Sequence, residues 1–242
     1  MQFNRSLLKN DAKKIIRESK PNAILVALLY ICITVILQYL SSSLLTGNIS
    51  EAAAQKYMNM IQNGNFDGAE SLAMTFTPSL PNSLLDILIK IVEWILAAGF
   101  TIFIMNTVRQ TGEACVGNLL DGFGMFFRVL ILHILMAVFV ALWSCLFVVP
   151  GIIAAYRYRQ AIYLLIEYPE KSPMQCIRES KTMMKGHKWE LFVFDLSFIG
   201  WALLVMLIGP VTVWVTPYAN TARMLYYDYL KALQNNTYAS AV

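Results

Sequence analysis

The stretch YPEKSPMQCIRESKTMMKGHKWEL, residues 168–191, decides how the rest of this 242-residue chain is read. It is a basic, polar segment set between long apolar runs. It carries its own boundaries: Ser172 with Gln175 has the spacing of a capping box, Pro173 suits the first helical position, and Gly186 suits a C-terminal stop. The spacing therefore predicts a helix over 172–186. On such a helix Met174, Ile177, Ser180, Met183 and Met184 share one face, while Arg178, Lys181, Lys185 and Lys188 lie elsewhere.

Composition says what surrounds that segment. The chain is 57% hydrophobic and only 14% charged, where a soluble domain carries roughly a quarter charged residues. The apolar runs predict spans at about 22–45, 84–108, 129–149, 151–167, 191–208 and 211–229. The first would cover about 36 Å at 1.5 Å per residue, enough for a tilted crossing. Pro150-Gly151 and Gly209-Pro210 are turn signals that close two hairpins. Of the 19 Lys and Arg, all but Lys56 and Lys90 count toward one side of this topology when Arg157 and Arg159 of the fourth span are counted with it, and the bias survives without those two; the positive-inside rule makes that side cytoplasmic. The expectation is an all-α integral protein of the cell (cytoplasmic) membrane. It has six transmembrane helices in three hairpins, amphipathic helices on the cytoplasmic face and both termini cytoplasmic, all in one membrane domain, 1–242. The net charge of +4 is absorbed by this asymmetry and is not a nucleic-acid signal.

The connecting segments are read in the same way. Residues 1–20 hold Arg5, Lys9, Lys13, Lys14, Arg17 and Lys20, with apolar residues at helical spacing. They predict an amphipathic helix lying on the membrane. The run after it is too long for the core of a signal peptide and reads as a retained first helix. Residues 47–83 form an extracellular loop with a short helix from a Ser50 cap through Gln62 and a turn at Asn63-Gly64. Asn48-Ile49-Ser50 matches a glycosylation triplet. Asp86, Lys90 and Glu93 share one helical face and can pair there. Cys32, Cys115, Cys145 and Cys176 lack metal-ligand spacing and are read as free thiols.

Spans three–four and five–six look alike. Each follows a basic, aromatic-ended segment, has a Trp ahead of its turn (Trp143, Trp201), and returns through a helix bearing Tyr and Arg. The pentapeptide Ile-Arg-Glu-Ser-Lys occurs at 16–20 and again at 177–181. These likenesses suggest duplicated units of a surface helix plus a hairpin.

Two sets of residues could carry function. Arg178, Lys181, Lys185, His187 and Lys188 form a basic surface that suits membrane lipids or a membrane-protein partner. His133, Arg157, Arg159, Asp195 and Arg223 are polar residues inside predicted spans, where a charge needs a partner, snorkelling or water. They are expected to form one inward-facing polar cluster. Nucleophile elbow, zinc-protease and Walker signatures are lacking. The expected role is therefore non-enzymatic, without cofactor or metal: an accessory or scaffold protein, or, as the alternative, a transporter of a small or amphiphilic anion.

A family resemblance adds to this. Val149-Pro150-Gly151-Ile152-Ile153, Glu167-Tyr168-Pro169, Met183-Met184-Lys185-Gly186-His187-Lys188, Leu196-Ser197-Phe198-Ile199-Gly200-Trp201 and Pro217-Tyr218 resemble a bacterial integral membrane family, the domain of unknown function numbered nine-seven-five. The resemblance extends over nearly the whole chain and implies a multi-pass membrane fold without an established activity. Arg157 and Arg159 stand where that family carries small polar residues.

Overall fold

A computed structural model describes residues 4–46, 51–75, 80–111 and 114–239. Among them every regular element is helical. In chain order these are α1 (Arg5–Glu18), α2 (Ala23–Thr46), α3 (Glu51–Gln62), α4 (Phe66–Thr75), α5 (Leu80–Arg109), α6 (Asn118–Gly124), α7 (Phe126–Leu146), α8 (Val148–Tyr158), α9 (Ala161–Glu167), α10 (Pro173–Met183), α11 (Lys188–Leu196), α12 (Ile199–Leu207) and α13 (Thr212–Ala239). One 3-10 turn, Gly209–Val211, precedes the last. Among the described residues four stretches are long and apolar enough to cross a membrane: Ala23–Ser43, Ser83–Arg109, Phe126–Cys145 and Lys188–Leu207. By length and apolarity this is a membrane protein.

Within the stretch read as one domain the chain packs as two units, Cys32–Glu93 on the one hand and Met1–Ile31 with Trp94–Val242 on the other. In the first unit α3 ends at Gln62 as expected, and Gly64 takes φ +70 in the turn that follows. Asn65 Oδ1 accepts from Gly68 N (3.0 Å), capping the start of α4. Ser50 and the Asn48-Ile49-Ser50 triplet lie outside the described residues. The three-way pairing expected of Asp86, Lys90 and Glu93 is divided. Lys90 meets Glu93 at 3.2 Å, but the Asp86 carboxylate accepts from the Ser41 hydroxyl on α2, an uncharged partner nearer to it.

The larger unit is built around α13. Tyr218, Ala222, Tyr226, Tyr227 and Leu230 of this helix are buried, and aromatic rings line its flank. Trp214 lies 4.9 Å from Trp201, Tyr218 lies 5.3 Å from Phe198, and Tyr226 lies 5.8 Å from Phe194. Such ring pairs add to the area term. A helix enclosed by protein does not need the apolarity of one facing lipid, which is why α13 tolerates Asn220, Arg223 and Asp228 within the expected sixth span.

The N-terminal helix departs from its expected setting. Asn4 Oδ1 caps α1, accepting from Ser6 N at 3.0 Å. The apolar face of α1 does not simply rest on a membrane. Ala12 and Ile16 are buried within the core, α1 packs along α13, and Lys9 Nζ donates to the Ser197 carbonyl (2.9 Å) while sitting 4.3 Å over the Phe198 ring. Partial burial, then the nearby Lys13 and Arg5, pulls the Lys9 ammonium below its ordinary range.

Two expected spans are discontinuous. The third and fourth part at Phe147, which is extended (φ −160), rather than at Pro150-Gly151. Pro150 sits inside the first turn of α8, where its missing N–H costs nothing. Gly151 is a packing residue: a Cβ there would fall 2.0 Å from Ser144 Oγ of α7. The fourth span, expected as one helix over 151–167, is α8 and α9 with a joint at Arg159-Gln160. Ser180 of α10 is inserted at this joint, donating to the Arg157 carbonyl (2.9 Å) and accepting from Gln160 N (3.2 Å). A side chain entering the helical ladder in this way is a recognised cause of a break. The fifth span breaks too, at Ser197-Phe198 between α11 and α12.

The helix expected at 172–186 is α10, Pro173–Met183, with the complete capping box of Ser172 and Gln175. Gly186 takes φ +89 in the turn beyond it. Ile177, Ser180, Met183 and Met184 are buried, and Arg178, Lys181 and Lys185 are exposed, as the face pattern predicts. The two copies of Ile-Arg-Glu-Ser-Lys both bury their Ile. Ser19 instead bonds its own helix end, at Ile16 O, so the serines do different work.

Candidate functional site

The two broken helices meet. Arg159 stands at the α8–α9 joint and Asp195 near the end of α11. Arg223 reaches Asp195 from α13, with Nε donating to Oδ1 at 3.1 Å. Arg159 approaches the other carboxylate oxygen less closely, at 3.7 Å, with 41% of its side chain exposed against 13% for Asp195. Tyr156, one turn before the joint, borders the same carboxylate and packs edge-on against Phe192 (5.8 Å). Two guanidinium groups thus share one carboxylate, which leaves one positive charge over on the more exposed group.

The sequence-predicted cluster is only partly assembled. Arg159, Asp195 and Arg223 come together, but His133 and Arg157 do not join them. His133 stacks on Trp94 of α5 (5.0 Å), and its Nδ1 donates to the Val129 carbonyl (2.9 Å), which holds the ring along its own helix. Arg157 lies on another face of α8, in a groove of about 210 Å³ with Trp143, Pro150 and Ile153. Residues 157 and 159 differ by about 200° around a helix, so they cannot serve one site.

Between α5, α7 and the α8–α9 joint runs a larger groove of about 490 Å³. Trp94, Ala97 and Thr101 form one wall, His133, Met136, Ala137 and Val140 another, and Tyr158 and Arg159 the third. Near it α6 crosses α5 at backbone contact. A Cβ on Gly99 would fall 2.2 Å from the Leu119 carbonyl oxygen, and one on Gly122 would fall 2.2 Å from that of Ile95.

A second polar cluster was not anticipated. Glu167, the last residue of α9, takes Arg109 Nη1 of α5 at 2.9 Å, the Lys231 ammonium, and the Tyr227 hydroxyl; Arg109 Nη2 also meets Asp228 at 2.9 Å. Tyr227 stacks on Tyr163 (5.2 Å) beneath it. Around the rim, Lys171 pairs with Glu179 at 2.7 Å and sits 3.9 Å over Tyr168. Partial burial works to lower the Lys171 and Lys231 pKa values, but their bonds to Glu179 and to Glu167 outweigh it and hold both above the ordinary lysine range. The sequence signal for it is opposite charge at the ends of different apolar runs, Arg109 closing one and Glu167 another.

The basic surface is laid out differently again. Glu190 takes His187 Nδ1 at 2.6 Å, and the His187 carbonyl accepts from Tyr226. Among the described residues Arg178, Lys181, Lys185 and Lys188 make no ion pair.

These features define an all-helical membrane protein with paired charges at the breaks of two of its helices. Residues 146–234, somewhat more than a third of the chain, match the model of a protein family of unknown function, DUF975. This is the family that the sequence resembles, over a narrower range than the resemblance suggested. The matched stretch encloses both helix breaks, Asp195 with its two arginines, and Glu167 with Lys231. No curated protein and no solved structure matches the chain.

Proposed function

We propose that this is a non-enzymatic accessory or scaffold protein of the cytoplasmic membrane. It spans the bilayer six times with both termini inside, and it engages anionic lipid headgroups through Arg178, Lys181, Lys185 and Lys188. The observation that carries this reading is the division of α10. Ile177 and Met183 of α10 and Met184 just after it are used up in the protein core, while Arg178 and Lys181 of α10 and Lys185 of the turn beyond it face outward; with the half-exposed Lys188 that opens α11, they make no ion pair among the described residues. Four such cations near an anionic surface are worth roughly 4 kcal/mol of attraction. The placement of α10 between helices that end in this polar layer supports a cytoplasmic-face setting. The remaining two spans of the six are the α8–α9 pair, shortened by its joint, and α13, whose inner face is buried in the core.

The test compares wild-type protein with a Lys181→Gln, Lys185→Gln, Lys188→Gln variant in detergent, adding phosphatidylglycerol or phosphatidylcholine. Phosphatidylglycerol is expected to raise the Tm of the wild type more than phosphatidylcholine does, and the variant is expected to lose most of that difference. An unchanged difference would overturn the reading.

A further inference from the structure

We propose that the groove between α5, α7 and the α8–α9 joint is a binding site for one anionic phospholipid drawn from the bilayer, with its phosphate on Arg159 and an acyl chain along Trp94, Ala97, Ala137 and Val140. The proposal rests on the membrane reading above but not on the cations of α10.

Three observations carry it. The groove has the size of a ligand cleft: about 490 Å³ lies inside the range of roughly 300–1,000 Å³ usual for small-molecule sites. Its walls are apolar except for Thr101, His133, the Tyr158 hydroxyl and Arg159, and His133 is already committed to Val129 and to the Trp94 ring. Its rim residues Ala137 and Ala155 are exposed, so a chain can enter sideways from the lipid.

Charge selects the headgroup. Arg159 and Arg223 face one carboxylate, and Arg223 holds it in the closer contact. The excess positive charge therefore resides on Arg159, the one of the two that lines the groove. A cation inside a span is costly unless partnered. A phosphate can accept two parallel bonds from the planar guanidinium. Asp195 stays behind as the partner of Arg223, so the lipid does not have to displace the stronger pair. A soluble anion would gain the same contact at Arg159 but nothing from the apolar walls.

The experiment uses the full-length protein in phosphatidylcholine vesicles containing a trace of phosphatidylglycerol with a photoreactive group in its acyl chain, followed by peptide mapping of the adducts. Adducts are expected on 94–101 and 133–140. Excess unlabelled phosphatidylglycerol should compete them away, and phosphatidylcholine should not. Arg159→Gln should lower them roughly tenfold, the cost of one charge-assisted contact. Ala137→Phe, which fills the groove without touching charge, should lower them as well, and Arg159→Lys should restore part of the labelling. All three variants are first checked for wild-type elution on size exclusion. The Lys181, Lys185, Lys188 to Gln variant should label like wild type, so failure of the surface reading and failure of this one are separable. Labelling that survives both Arg159→Gln and Ala137→Phe, or that phosphatidylcholine competes equally, would overturn the proposal.

Discussion

Arg223 Nε and Asp195 Oδ1 stand 3.1 Å apart, tying the middle of α13 to the last turn of α11 beside a helix break. Arg159 joins the same carboxylate at 3.7 Å from the other broken helix. The shared carboxylate makes the three residues unequal. Asp195→Asn removes the carboxylate that the two cations share, and the loss should be about 2–3 kcal/mol of stability. Arg159→Gln should cost under about 1 kcal/mol, because this longer contact is open to solvent screening or lipid. Unfolding in detergent by denaturant or heat reads both. Equal losses for the two variants would contradict this ranking.

Glu167 offers a second comparison. Its carboxylate serves Arg109, Lys231 and Tyr227 at once, and so fastens α9 to the end of α5 and to the second half of α13. Glu167→Gln should destabilise more than Arg109→Gln, since Arg109 keeps Asp228 as a partner while Lys231 loses its carboxylate. The pair should show a coupling energy of about 0.5–3 kcal/mol in a double-mutant cycle. Additivity of the two single variants would mean that the contact contributes little.

Much of the fold could be read from residue patterns, and the misses share one cause. The capped helix after Ser172, its buried methionine face, the turn at Gly64 and the apolar helices all follow from local spacing. The breaks do not. Ser180, twenty residues away, opens the helix at Gln160, and no pattern within 151–167 announces it. Asp195 was placed with its arginines, because a charge in an apolar run demands a partner. His133 and Arg157 stand apart from that group, because closeness in sequence does not tell which side of a helix each residue occupies. The Glu167 cluster was missed because charges at span ends have an easy explanation in the headgroup layer. Only the fold brings three such ends together.

Gly151 carries a prediction about the α7–α8 hairpin. Expected as a turn residue, it is buried against Ser144, whose Oγ would lie 2.0 Å from an added Cβ. Gly151→Ala should therefore cost about 1–3 kcal/mol by overpacking. Ser144→Gly, which clears both the Oγ and the Cβ, should recover a large part of that loss. Had the glycine been needed for turn conformation, Ser144→Gly would give no rescue. The unfolding midpoints of the two single variants and the double variant decide between these causes.

The orientation can be read through native thiols. Cys115, between α5 and α6, is exposed, whereas Cys176 on α10 is buried, and that burial pushes its thiol above the ordinary range. The thiolate is the reacting form, so Cys176 should alkylate slowly at pH 7 to 8 even where reagent has access. Cys32 is exposed but sits within an apolar span, where a lipid environment shields it from an aqueous reagent; Cys145 closes its span at the opposite end from Cys115 and is replaced by Ser for this test. A membrane-impermeant maleimide should thus modify Cys115 in inverted vesicles and not in intact cells. Lys56→Cys, on α3 in the segment that joins the first two spans, should react in intact cells. Exchange of these two patterns would reverse the topology and put the cations of α10 on the outer surface. Rapid modification of Cys176 in folded protein would instead show that α10 leaves the core, and would remove the division of faces on which the lipid-binding reading depends.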